Sequence, residues 1–300
     1  MNAKVQSGRR FRLFGKRGLL AALVVAVIVG ACATVPSHEY MLVPHDDGQV
    51  LSTIQPCAQP RPQPLATVAP QALQPQRAGT LSVANWNLHK AQDQGWQDEL
   101  ARLAKAHDLL LIQEAVLTPE VNAVLLRTGL RWRMAGAFAM SGVERGVLVA
   151  ARADPVDACT LRAFEPLFPL PKSALVLRFR QGDGAPDLMV ANLHSVNFTL
   201  GLARFREQIQ AVGDELARHD GPIVLAGDLN AWSEERTAIV MAVAQRLRLT
   251  PVVPTPDGRR RAFGYALDHV FVRGYDVISA VSPVVTSSDH NPILIQLTAR

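Results

Sequence analysis

Along this chain, apolar stretches repeatedly end in groups that bind protons, metal ions or phosphate oxygens. "TLSVANWNL" carries Asn85 and Asn87, "DLLLIQEA" stops at Gln113-Glu114, and "DLMVANLHSVNF" turns polar at Asn192 and His194. "GPIVLAGDLN" ends in Asp228 and Asn230, "LDHVFVRG" opens with Asp268-His269, and Ser288-Asp289-His290 precede "NPILIQL". The inventory is carboxylates, amides and imidazoles, without an obvious serine or cysteine nucleophile. Oxygen-rich sets of this kind suit Mg2+ or Mn2+. Phosphoryl transfer to water needs them: a metal to neutralise charge, a base to align water, and donors for the phosphoryl oxygens. No G-x-S-x-G turn is present, which disfavours a serine hydrolase. Each element alone has a plain alternative: a strand-end Glu is commonly solvated, a lone His commonly packs, and "SDH" also serves as a turn. The set as a whole carries the argument.

These groups must be delivered by strands that end on one edge. The sequence alternates apolar strand-like runs with helical spacing at "WQDELARLAKA", "TPEVNAVLLRTGL", "LARFREQIQAVGDELARH" and Ser233 to Arg248. Thr118 is placed to cap the second of these, with Pro119 at its first position. "RGVLVAAR" and "KSALVLRFR" read as further strands. The strand count is high and the helices fall between strands. That pattern predicts two sheets packed face to face with helices outside, rather than one doubly wound sheet.

Six stretches, "NWNL", "LLIQEA", "VANLHS", "AGDLNAW", "LDHVFV" and "SSDHNP", resemble in type and order the motifs of the endonuclease/exonuclease/phosphatase superfamily, across about Thr80 to Arg300. "PKSALV", "HSVNFTLG", "GDLNAWSEER" and "RRRAFG" further resemble the YafD-like bacterial group. The resemblance implies a four-layer α/β sandwich of the DNase I type and a metal-dependent phosphoesterase. It implies that Glu114 binds Mg2+ or Mn2+ with Asn87 beside it, and that Asp289 is a further metal-side carboxylate. Asp228 would orient or deprotonate the attacking water, and Asn230 would hold that Asp or a phosphoryl oxygen. His194 would donate to the phosphate, and His290, backed by Asp268, would stabilise the transition state or assist the leaving group. Trp232 would pack the turn that fixes Asp228. Two departures stand out: Ser195 follows His194 where many relatives have Leu, and about 220 residues leave little room for long DNA-gripping loops.

Composition frames the substrate question. The formal charge is +5, but residues 1–31 hold six bases and no acid. The remainder has 25 bases against 26 acids, or −1, so no global field draws in a polyanion. Attraction must be local, and Arg259, Arg260 and Arg261 form the best patch, with Lys90 and Lys172 as other candidates. Nucleic acid would favour the arginine run. A lipid headgroup or small phosphoester would fit the near-neutral domain. A binding module that keeps the fold without turnover is the rival from another class, and the full set of polar residues argues against it.

Basic residues up to Arg17 followed by an apolar run from Gly18 to Ala31 read as an export signal. The run is roughly 14 residues, short of the ~20 that span a bilayer. It ends in "VGAC", like a bacterial lipoprotein box, so Cys32 is the expected acylation site and the bacterial envelope the expected location. Inner-membrane anchoring and free release into the periplasm stay open. Residues 32–79, rich in Pro and Gln, show no sustained period and read as a tether. Cys57 and Cys159 are free to pair in an oxidising compartment, and no CxxC spacing suggests zinc. Nothing indicates a protein partner.

Overall fold

The computed structural model describes residues 33–45, 48–57, 71–166, 170–182, 184–199 and 201–300. The apolar run and Cys32 lie outside the described residues. Among the described residues no helix is long and apolar enough to cross a membrane.

The strands are β1 (Tyr40–Pro44), β2 (Val50–Ile54), β3 (Leu81–Asn87), β4 (Leu109–Val116), β5 (Arg131–Met140), β6 (Val143–Ala151), β7 (Asp157–Phe164), β8 (Pro171–Phe179), β9 (Leu188–His194) and β10 (Ile223–Asp228). They continue as β11 (Thr250–Val252), β12 (Arg261–Ala262), β13 (Tyr265–Ala266), β14 (Asp268–Arg273), β15 (Tyr275–Val281) and β16 (Ile293–Ala299). The α-helices are α1 (Trp96–Ala106), α2 (Pro119–Arg127), α3 (Ala203–Leu216) and α4 (Glu234–Arg246). One sheet runs β15-β16-β3-β4-β6-β5-β1-β2, with the two-residue strand Ala33–Thr34 also paired to β5; the other runs β11-β14-β10-β9-β8-β7, and β12-β13 form a separate hairpin. Both sheets are mixed: β3 and β4 are parallel, as are β9 and β10, and their other neighbours run antiparallel.

Three apolar layers hold this together. Leu111, Val149, Leu175, Val190, Val224 and Val270 fill the space between the sheets. Trp86 and Trp132 pack with Leu100 of α1 and Leu125 of α2 on one outer face. Phe205 and Ile209 of α3 and Val240 of α4 pack with Phe271 on the other. This is the expected four-layer sandwich, with each helix burying one stripe against a sheet. The caps follow the sequence: Thr118 Oγ1 accepts the Val121 N–H at 3.3 Å and Ser233 Oγ accepts the Arg236 N–H at 3.2 Å. Each such cap stabilises its helix by about 1 kcal/mol.

The expected tether from 32 to 79 is corrected over part of its length. β1 and β2 form a hairpin that extends the first sheet, with Tyr40, Met41 and Leu42 opposite Gly136, Ala135 and Met134 of β5. Cys57 is disulfide-bonded to Cys159 of β7, and the Leu73 N–H donates to the Arg180 carbonyl at 2.8 Å. Two five-residue strands are too short to show a period. They owe their order to backbone pairing with a sheet formed by distant residues.

Candidate active site

The carboxyl ends of β3, β4, β9 and β10 and the start of β14 meet on one edge. Local backbone irregularities aim the side chains. Between Ile112 and Ala115 the register of β4 against β6 shifts, and Glu114 takes φ +48°. This bulge leaves Glu114 unpaired and turns it into the cleft. His89, Lys90 and Ala91, directly after β3, all have positive φ (49°, 61° and 56°) and swing Lys90 onto Glu114 in an ion pair. Such backbone strain in non-glycine residues is characteristic of functional sites. On β10, a Cβ at Gly227 would meet the Leu193 carbonyl oxygen at 1.8 Å, so glycine is required for β9 and β10 to approach here.

The geometry is a chain of polar contacts. His194 Nε2 lies 4.0 Å from Glu114 Oε1 and 3.5 Å from Asp228 Oδ2, and Asp228 Oδ2 lies 4.0 Å from His290 Nε2. His290 Nδ1 is 2.7 Å from Asp268 Oδ2, the pairing expected from sequence. Alternation along β14 turns His269 to the other face, where Nε2 bonds to the Ala266 carbonyl at 3.0 Å and the ring stacks on Phe271. Asn87 Nδ2 donates to Asp228 Oδ2 at 3.0 Å, and the Asn230 N–H donates to Asp228 Oδ1 at 3.1 Å. The Asn230 side chain instead donates to the Ser195 carbonyl, so it is the backbone of Asn230 that holds Asp228. Ser195 itself donates to the Leu229 carbonyl and ties the two loops together.

Burial and charge set the protonation states. For His290, burial disfavours the cation, but Asp268, followed by Asp228 and Asp289, outweighs it and raises the pKa to about 9. For Asp228, burial and then the neighbouring Asp268 carboxylate raise it to about 6. For Glu114, burial opposes ionisation, yet its surroundings, His194 and then the Lys172 and Lys90 ammoniums, hold it down at about 2. His194 is held well below its ordinary range, first by burial and then by Lys172. Its Nε2 lies 3.0 Å from Lys172 Nζ. An ammonium has only donors, so Nε2 is the acceptor in this contact. Here Lys172, rather than His194, is the donor facing the cleft.

A divalent cation fits Glu114. The carboxylate is ionised at neutral pH, and its buried Oε2 accepts no hydrogen bond beyond the Lys90 ion pair. Asp228, Asp268 and His290 also have ligand atoms mutually within 4.8 Å, but a protonated His290 offers no lone pair, so that trio is suited to acid–base work. Asn87 sits beside Asp228, and its Oδ1 accepts the His89 N–H at 3.0 Å. Asp289 is more exposed, 3.6 Å from His89 Nδ1.

The arginine run is corrected in part. Arg259 binds Asp257 through Nε at 2.8 Å and donates to the Asp268 carbonyl, and Arg261 binds Asp257 at 2.7 Å. Asp257 engages both and offsets one of the two charges, and Arg260 remains exposed. Lys90 and Lys172 do line the cleft, together with Glu114, His194, Phe138 and Arg145. Asn85 and Asn192 do not face it: Gln113 Nε2 donates to both, at 2.9 and 2.6 Å, and so joins the sheets from within.

Arg236 was not singled out by sequence reasoning. It is 1% exposed, donates to the carbonyls of Val196, Asn197 and Asn230, and lies 4.4 Å from the ring centres of Trp232 and Phe205. One guanidinium thus fixes the loops after His194 and after Asp228. Burial pulls its pKa down to about 10, against the charge of Glu165, and it stays cationic. Its only sequence signal was its place in "GDLNAWSEER".

A DNase I-like sandwich with acids, amides and histidines gathered on its strand-end edge defines the class: a hydrolase of phosphate esters. The chain belongs to the Endonuclease/Exonuclease/phosphatase family, whose model matches residues 84–290. A UPF0294 protein of Yersinia pseudotuberculosis is 42% identical over 219 residues, 73% of this chain and 84% of its own. The human nocturnin catalytic domain with bound sulfate superposes with a TM-score of 0.58 at 16% identity, over 77% of this chain and 97% of that one. A mannosyl-6-phosphatase of Bacteroides thetaiotaomicron superposes at 0.54 with 19% identity, over 73% and 99%. The last two likenesses are of fold.

Proposed function

We propose that this protein is an exported, membrane-tethered phosphoesterase that uses Mg2+ or Mn2+ at Glu114 and attacks phosphorus in line with water. The observation that carries the reading is the unbroken polar run Glu114–His194–Asp228–His290, each step 4.0 Å or less. When bound, the cation would neutralise charge on the phosphoryl oxygens. Asp228, held by Asn87 and the Asn230 N–H, aligns the attacking water and accepts its proton. Lys172 neutralises a phosphoryl oxygen, with neutral His194 fixing its position. Protonated His290, oriented by Asp268, stabilises or protonates the departing oxygen. Export is supported by the disulfide, a bond that persists in oxidising compartments. Tethering through acylated Cys32 is supported by "VGAC". The test is a panel assay with Mg2+ or Mn2+ on DNA, RNA, sphingomyelin, inositol phosphates and bis-p-nitrophenyl phosphate. Turnover of none of them, with folded protein, would sink the enzyme reading. Labelled palmitate should enter the wild type and not Cys32→Ser.

A further inference from the structure

Three phenylalanines break the rule that large apolar rings are buried. Phe263 is 85% exposed, Phe198 54% and Phe164 49%, whereas Phe179, Phe205 and Phe271 are buried. The three exposed rings lie at the same end of the strands as the candidate site. Phe164 ends β7 opposite Pro171, one pair from Lys172, which reaches His194. Phe198 lies four residues beyond His194 on the loop that Arg236 holds. Phe263 tips the β12–β13 hairpin, 5.9 Å from Trp232 and five residues before Asp268. Arg260 is exposed beside the same hairpin. The strand-end edge that carries the candidate site therefore presents three exposed aromatic rings, with a cation beside one of them.

The N-terminal segment joins the domain at this edge. Tyr40 opposes Gly136, Gly136 opposes Gly146, and Gly146 opposes Ala115, the neighbour of Glu114. The first residue of β1 is thus level with the candidate metal ligand, three strands away. Seven residues, 33–39, separate Cys32 from Tyr40, a reach of at most about 28 Å, and Ala33–Thr34 among them already pair with β5. A domain of this size is roughly 45 Å across. An anchor just before this segment would act on the catalytic edge rather than on the opposite one.

We propose that the catalytic edge is a membrane-docking surface. Phe164, Phe198 and Phe263 enter the headgroup region of a bilayer containing anionic phospholipid, and the substrate is a phosphoester carried at that surface. This deepens the phosphoesterase reading and rests on it and on the anchor. Exposed rings beside an arginine also suit stacking on nucleic-acid bases, but the short connector to the anchor favours the bilayer.

The test uses the full chain in phosphatidylethanolamine/phosphatidylglycerol vesicles. Phe263→Cys carries a nitroxide, with Ala185→Cys, on the turn between β8 and β9 at the opposite edge, as the control. Cys57 and Cys159 are paired, so with Cys32 acylated the introduced thiol is unique. The label at 263 should be relaxed preferentially by oxygen, and the label at 185 by an aqueous nickel chelate. A second measurement pairs Phe198→Asp with Phe263→Asp. Turnover of vesicle phospholipid should fall about tenfold or more, while that of soluble bis-p-nitrophenyl phosphate stays within about twofold. An aqueous label at 263, equal losses on both substrates, or protection of that label by single-stranded DNA in place of vesicles would overturn the docking surface. Label depth requires no turnover. An aqueous label in an active enzyme sinks this proposal alone, and a wild type inert on every phosphoester sinks the function beneath it.

Discussion

Replacing Asp268 by Asn tests the acid side of the site without removing a contact atom. The amide keeps the shape and can still accept from His290 Nδ1, but the charge 2.7 Å away is lost. Asp268 is the main factor holding the His290 pKa at about 9 against burial. Without it, burial should bring the imidazole to the reference of ~6.5 or below. At pH 7.5 the protonated fraction then falls from nearly all to about one tenth. Loss of protonation costs about tenfold in kcat, and looser orientation of the ring should bring the total to about 10²-fold. His290→Ala should lose a similar amount, and the double variant little beyond the worse single, because the two act as a unit. The same shift affects stability. A histidine whose folded pKa is raised contributes stability that is complete below about pH 6.5 and lost as pH rises through about 9. Its full size is about 3 kcal/mol. Urea unfolding at pH 7 and pH 10 should show that loss in the wild type and little of it in Asp268→Asn. The direct assay is the NMR titration of His290 in both proteins. An unchanged pKa in Asp268→Asn, losses that multiply independently, or a larger loss from His269→Ala than from His290→Ala would refute the pairing.

Other substitutions probe separate parts of the molecule. Glu114→Gln should abolish divalent-dependent turnover and weaken Mn2+ binding measured by calorimetry while leaving the circular dichroism spectrum intact; wild-type turnover at limiting Mg2+ would refute the ligand assignment. Gly227→Ala drives a methyl into the Leu193 carbonyl and should cost about 3 kcal/mol in denaturant unfolding; a neutral result would mean β9 and β10 can separate freely. Cys57→Ser opens a loop spanning 102 residues and should cost up to about 4.7 kcal/mol on the chain-entropy model, with wild-type stability as the contrary result. Arg236→Met should reduce kcat more than it raises KM, because it loosens the loops behind His194 and Asp228; an unaltered kcat with lowered stability would leave Arg236 a purely structural clamp.

The sequence by itself determined the layer architecture and named most of the residues that the strand ends bring together. Strand-length apolar runs alternating with amphipathic helices left few ways to bury both sheet faces. Polar residues such as Glu114, His194, Asp228 and Asp268 could be read because they interrupt apolar strands at their ends. The pairing of Asp268 with His290 was implied by the family resemblance, and two-residue alternation along β14 turns His269 to the other face. Only the tertiary structure decided what depends on partners distant in the chain. Asn85 and Asn192 sit at strand ends like the catalytic groups, but Gln113 draws both into the space between the sheets. Lys172 proved to be the donor at His194 because β8 and β9 are neighbours. The β1–β2 hairpin was illegible because its order comes from β5 and from Cys159, residues roughly a hundred positions away. A short strand with no period of its own becomes structure only when a sheet edge is there to receive it.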